Sequence, residues 1–166
     1  KKLTGSLSGN YGKGMEESSD YYRLGISGTY RPVDYMSVSF SPSYTRRKQE
    51  LQYVRRTTFQ GADRFIFGSL DQAVASFSFR VNLTLMPDLT LQYWGQPFIA
   101  VGSYTDFKRI TQPKADRYHD RFQVFSPGQI SYADGVYRVD ENLDGQSDYG
   151  FAKPDFRVRE FLSNLV

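Results

Sequence analysis

The chain has no cysteine and only one histidine. Disulfides and thiolate metal sites are therefore excluded, and cysteine usage says nothing about the compartment. Also missing is any run of about 18 apolar residues, which excludes a membrane-spanning helix. It leaves a transmembrane barrel open, because barrel strands hide their apolar half by alternation. The low mean hydropathy of -0.55 for that reason does not imply solubility. A net charge of +3 is modest, and Lys and Arg are scattered rather than gathered into the stripe that nucleic-acid binding needs. No nucleophile motif, phosphate loop or dinucleotide fingerprint is present, so nothing points to an enzyme. The chain opens at Lys1 without an initiator Met and closes at Leu165 and Val166 where the pattern starts a new strand, which reads as an internal fragment or processed product.

What is abundant is aromatic: 13 Tyr and 13 Phe in 166 residues, a bias that favours strands because pleated surfaces hold large rings. The periodicity agrees. Leu3, Gly5, Leu7, Gly9 and Tyr11 alternate with Thr4, Ser6, Ser8 and Asn10. Tyr22, Leu24, Ile26, Gly28 and Tyr30 alternate with Arg23, Gly25, Ser27 and Thr29, and Pro32 to Asp34 makes a tight turn. Met36, Val38, Phe40, Pro42 and Tyr44 then alternate with serines and Thr45. This strand is expected to continue past the charged Arg46 to Glu50 stretch and to loop at Arg55 to Asp63. The return strand keeps Phe77, Phe79, Val81, Leu83 and Leu85 at odd positions, with no register slip expected. After a Pro87-Asp88 turn comes another strand, with Leu89, Leu91 and Tyr93 opposite Thr90, Gln92 and Trp94.

Residues 102–154 form a long charged excursion that includes Lys108, Arg109, Asp116, His119 and Asp120. Within it Asp134-Gly135 is a two-residue turn signal that pairs Tyr132 with Tyr137 and Ile130 with Val139. From residue 155 a further strand begins. Three regions result: barrel strands over 1–101, an extracellular loop over 102–154, and the start of the next strand over 155–166.

The fold class expected is all-β: an antiparallel transmembrane β-barrel segment, incomplete by itself, with a long extracellular loop containing a small hairpin. The polar faces carry Ser, Thr, Asn and Gln rather than the Lys and Glu of a soluble sheet. Strand lengths reach or exceed the nine to eleven or so residues that cross hydrocarbon. Unpaired backbone groups in lipid cost several kcal/mol, so about five strands must be completed from elsewhere. Met36, Val38, Phe40, Phe77, Phe79, Val81, Leu83 and Leu85 are the expected membrane-facing residues, and Tyr30, Tyr35 and Tyr93 an interfacial girdle. Pro42 and Pro97 resist the scheme, and bulges near the rim are the expected remedy. The other reading is a soluble carbohydrate-active or adhesive β-domain with a calcium-stabilised loop.

One motif carries metal chemistry. Asp140, Asn142, Asp144, Gln146 and Asp148 have the spacing D-x-N-x-D-G-x-x-D, with Gly145 at the sharp turn, which suits structural calcium. The twelfth position is Phe151 rather than a bidentate Glu, so the likeness is to dockerin and thrombospondin loops rather than to an EF-hand. The alternative is an Asx-rich turn without metal. His119, flanked by Asp116 and Asp120, reads as a solvated loop residue.

Leu51 to Val54, Leu89 to Phe98, Asp140 to Tyr149, Pro154 to Phe156 and Ser163 to Val166 together resemble the C-terminal region of large Gram-negative outer-membrane proteins. That family joins a carbohydrate-binding module of the family 9 type to a barrel of uncharacterised function. The resemblance covers most of residues 50–166. It implies an outer-membrane location in the lipid bilayer, a barrel completed by further strands, and glycan or nutrient handling at the surface, and it supplies no catalytic residue. Lipopolysaccharide as a partner, and no nucleic acid, are what the modest, scattered positive charge suggests.

Overall fold

The computed structural model describes residues 2–15 and 18–166. Ten strands appear among them: β1 (Leu3–Lys13), β2 (Ser19–Val33), β3 (Met36–Phe59), β4 (Ala62–Met86), β5 (Leu89–Ile110), β6 (Phe122–Val124), β7 (Ile130–Ala133), β8 (Val136–Val139), β9 (Tyr149–Ala152) and β10 (Phe156–Leu165). A 3-10 turn spans Tyr118–Arg121, and no α-helix occurs among the described residues. The large antiparallel sheet runs β1-β2-β3-β4-β5-β10, with β6 beside the upper end of β5; β7-β8-β9 form a separate small sheet. The large sheet is open, with β1 and β10 as its edges.

Register follows the alternation. Met36 faces Leu83, Val38 faces Val81 and Phe40 faces Phe79 across β3 and β4. Leu7 pairs with Ile26 across β1 and β2, and Val81 with Tyr93 across β4 and β5. One side of the sheet is thus apolar. The other is laced by hydroxyl pairs, Ser6 with Ser27 at 2.7 Å, Thr29 with Ser39 at 3.0 Å and Ser43 with Ser76 at 2.9 Å. Phe rings lie over glycines on the neighbouring strand: a Cβ on Gly95 would come within 2.6 Å of the Phe79 ring, so any side chain there must displace it.

Several sequence expectations need correction. The nine-residue loop placed at Arg55 to Asp63 is a two-residue turn at Gln60-Gly61, whose φ values of 51° and 74° fit the twist-matched turn of a tight hairpin. The first short turn is Asp34-Tyr35 rather than Pro32 to Asp34, because β2 runs to Val33 across an irregularity between Tyr30 and Val33. β5 continues to Ile110, so the excursion expected from Gly102 starts later. β4 keeps its parity to Leu83, as expected, but its neighbours bulge against it: β3 gains an extra residue between Gln49 and Gln52 and another between Tyr53 and Arg55. β5 gains one between Thr105 and Lys108, where Asp106 has φ 47°.

No bulge attends Pro42 or Pro97. Pro42 pairs in register with Phe77 on β4, while the ladder to β2 is interrupted between Gly25 and Gly28 without a shift. Pro97 likewise pairs with Phe161 on β10, and the β4 ladder lapses between Ser76 and Phe79. Each missing N–H is absorbed by skipping ladder contacts on one side only.

The core of the molecule lies at the upper end of the large sheet. Ile66, Phe107, Phe125, Val139, Tyr149 and Phe151 form one buried cluster, with Val54, Phe59, Tyr104, Ile130 and Tyr137 packed on it. Which side it occupies follows from β4, where Ile66, Gly68 and Leu70 are buried while Phe65 is exposed and Phe67 half-buried. No shift interrupts β4 from there to Leu83, so the buried positions share their face with Ser76 and Ser78. The small sheet therefore sits on the hydroxyl side.

Candidate functional site

Of the eight expected membrane-facing residues, Met36, Val38, Phe40, Phe77, Phe79, Val81 and Leu83 occupy one face of β3 and β4, while Leu85 lies at a register irregularity between Thr84 and Met86. Met36, Val38, Phe40, Phe79, Val81 and Leu83 are half-buried by their neighbours within the sheet, and Phe77 and Leu85 are exposed. Among the described residues no second sheet lies over them, since the β7-β8-β9 core engages only the upper strand ends. The band extends sideways: Leu7, Leu24 and Ile26 expose 79%, 56% and 53% of their surface. A patch of this extent is not left facing water by an ordinary soluble monomer.

Tyr30 and Tyr93 fall in one row, Tyr30 opposite Val38 and Tyr93 opposite Val81, with Tyr35 in the turn below. A second tyrosine row closes the band at its other end: Tyr11 faces Tyr22 across β1 and β2, and the Tyr22 and Tyr44 ring centroids are 6.0 Å apart. Sequence reading missed this row, although Tyr11, Tyr22 and Tyr44 each stand at the last apolar position before charge. Just above it Arg46 grips Asp71 through two hydrogen bonds of 2.8 and 2.5 Å.

Over residues 140–148 the motif folds on itself. Asp140 accepts from the backbone N–H of Asp144 at 3.1 Å and of Gly145 at 2.8 Å. Asp144 accepts from the N–H of Gln146 and from Nδ2 of Asn142, at 2.8 and 2.9 Å, and Asp148 accepts from the N–H of Glu141 at 2.7 Å. No three acidic or histidine side chains among the described residues are disposed to hold a metal ion. These are Asx-turn bonds, and each carboxylate keeps lone pairs that they do not use.

The side chain skipped by the ligand spacing is the one most firmly fixed. Glu141, with 6% of its side chain exposed, accepts from Nε of Arg64 at 2.9 Å, from Nη1 of Arg109, and from the Tyr149 hydroxyl at 2.6 Å. Burial first, then this hydrogen bond, pushes the Tyr149 hydroxyl well above its usual range. The loop is thereby pinned to β4 and β5. Asp155 adds a further tie by accepting from the Tyr104 N–H at 2.9 Å. The hairpin at Asp134-Gly135 forms as expected, Tyr132 opposite Tyr137 and Ile130 opposite Val139.

Lys108, assigned from sequence to a solvated loop, is instead 1% exposed on β5. Its Nζ lies 3.2 Å from Ser69 Oγ, 3.6 Å from Glu50 and 4.9 Å from the Phe122 ring centre. Burial lowers its pKa, and Glu50 opposes that shift. Beside it a groove of about 960 Å³ opens under the 3-10 turn. Lys48 and Arg117 there oppose Asp20, Glu50 and Asp71, and His119 is exposed at the margin. That mixture of signs favours no particular ligand.

No family model, curated protein or solved structure matches this chain. Its function must therefore be argued from its own residues.

Proposed function

We propose that the chain is a wall segment of an outer-membrane β-barrel in a Gram-negative cell, non-catalytic, serving capture or passage of glycans or other nutrients at the surface. The observation that carries this reading is the exposed apolar band bounded by two tyrosine rows, backed by a hydroxyl-lined face. From Tyr30 to Tyr22 the strand advances about 27 Å. A tilt of about 40° lowers this to roughly 21 Å, close to the ~25 Å band of such barrels. Hydrocarbon fits one side and water the other. Because the edges β1 and β10 carry unpaired backbone groups, lipid would tolerate the sheet only once further strands close it. Those strands, the bilayer and lipopolysaccharide are the proposed partners, and the rim sheet faces outward from the cell at the barrel mouth.

Calcium remains part of the proposal at Asp140, Asn142, Asp144, Gln146 and Asp148, on the strength of spacing alone. It would bind weakly and structurally, so calorimetric titration up to about 10 mM calcium is expected to give saturable heat; a flat trace removes the ion.

The test of the main reading is partition. Detergent-dependent extraction and heat-modifiable gel mobility are expected. A freely soluble monomer would instead favour the second reading, a soluble carbohydrate-active or adhesive β-domain, for which the self-contained core at the rim is the supporting observation.

A further inference from the structure

The hydroxyl face holds rings that the apolar band does not claim, among them Trp94 and, opposite Ser76, Phe98. Trp94 is the only tryptophan of the chain. It stands on β5 between Gln92 and Gln96, with Arg80 directly opposite on β4 and Asn164 opposite on β10. A ring of that size would ordinarily join the band or an interfacial girdle, yet register places it with the serines, half-buried. We propose that Trp94 is the platform of a binding subsite for an acidic oligosaccharide, an inference that rests on reading this face as the water-facing lining of the barrel.

The chemistry is complementary in three respects. The C–H edge of a pyranose carries slight positive charge and stacks on the negative face of an indole. Its hydroxyls need both donors and acceptors, which the amides of Gln92, Gln96 and Asn164 supply. Gln96 also borders a groove of about 260 Å³ lined by Ser41, Ser43, Ser76 and Ser78, with Arg23 at its far side, so hydroxyl partners continue beyond the ring.

Charge decides the class of sugar. Across β1 to β5 this face bears Arg23, Arg47 and Arg80 and no carboxylate below the rim; Glu160 on β10 is the one acidic group alongside. The three arginines are exposed, and none joins an ion pair among the described residues. Guanidinium groups grip carboxylates in a two-pronged geometry, which a uronic-acid oligomer provides and a neutral glucan lacks.

The test reads this indole in the full protein reconstituted in phospholipid vesicles, as the emission difference between wild type and Trp94→Phe. Quenching first locates the ring: acrylamide in the water is expected to reach it and brominated acyl chains are not. Quenching by brominated lipid would overturn the facing of the sheet, and the subsite with it. Titration then tests the ligand. Trigalacturonate is expected to shift the difference emission saturably, maltotriose about tenfold more weakly, and Arg80→Gln to abolish that preference. If acrylamide reaches the ring yet trigalacturonate leaves the emission unchanged, or maltotriose matches it, the subsite falls while the barrel reading stands.

Discussion

The two ends of the large sheet treat apolar side chains in opposite ways. At the rim Ile66 and Val139 are fully buried and Phe151 is 3% exposed, enclosed by a small sheet from the same chain. Below the rim Leu7 and Leu24 stand out at 79% and 56%, and no other segment among the described residues covers them. The rim encloses its own apolar side chains, whereas the band leaves them open. Under the proposed function the same alternation serves two solvents, and the tyrosine rows mark where one gives way to the other.

Four substitutions or conditions would break or sharpen that contrast. The largest effect is expected at the rim, where Phe151→Ala removes a ring packed on Phe107 and Tyr137 and should cost about 3–5 kcal/mol. Amide hydrogen exchange over residues 130–152 should accelerate while β1 and β2 keep their rates; uniform acceleration would mean that the two ends are not separate. In the band, Phe40→Arg should cost about 2–4 kcal/mol in vesicles, whereas Ser41→Arg on the opposite face should be tolerated, as measured by urea unfolding from the bilayer. Equal effects from the two would remove the distinction between faces.

Glu141→Gln comes next. It leaves the charges of Arg64 and Arg109 unanswered, and since both guanidiniums are about a fifth exposed, water screens part of the loss. A cost of about 1–3 kcal/mol is expected, visible as faster proteolysis within residues 126–153. The smallest effect concerns pH. Tyr149 has its hydroxyl pKa raised above the ordinary 10.0 by burial and by Glu141, so the folded rim holds that proton more tightly than the unfolded chain does. The resulting stability is complete below pH 10 and declines as pH rises beyond it. Tyr149→Phe should flatten the slope of rim stability above about pH 10, followed by near-ultraviolet circular dichroism.

Period-two alternation made the strands legible from sequence, because a strand with one apolar side must repeat that way. It carried β1 to β4, and Asp134-Gly135 fixed the inner hairpin because a turn needing positive φ at both positions admits few residue pairs. What alternation does not encode is how far a strand runs once its apolar side is covered by protein. Lys108 and Arg109 therefore looked like loop charge, although Glu141 answers Arg109 from the rim and the Phe122 ring lies against the Lys108 ammonium. Glu141 was itself hidden by its neighbours: at an x position of a metal-like motif, it gave no sign of being the residue that holds the loop down. The band residues were readable as a face. Trp94 was readable as a member of the polar face, but Arg80, which stands beside it, is distant in sequence and meets it only through register.

The hairpin of β3 and β4 closes through the two residues Gln60 and Gly61 and then zips without interruption by any third element. Its contacts are local at the tip, so little loop entropy opposes its start. The anchor between Arg64 and Glu141 spans 77 positions of sequence and must wait for β5 and the intervening turn. Assembly accordingly has a built-in order: a long ribbon forms early as a template, neighbours add along its sides, and the small sheet is fastened last.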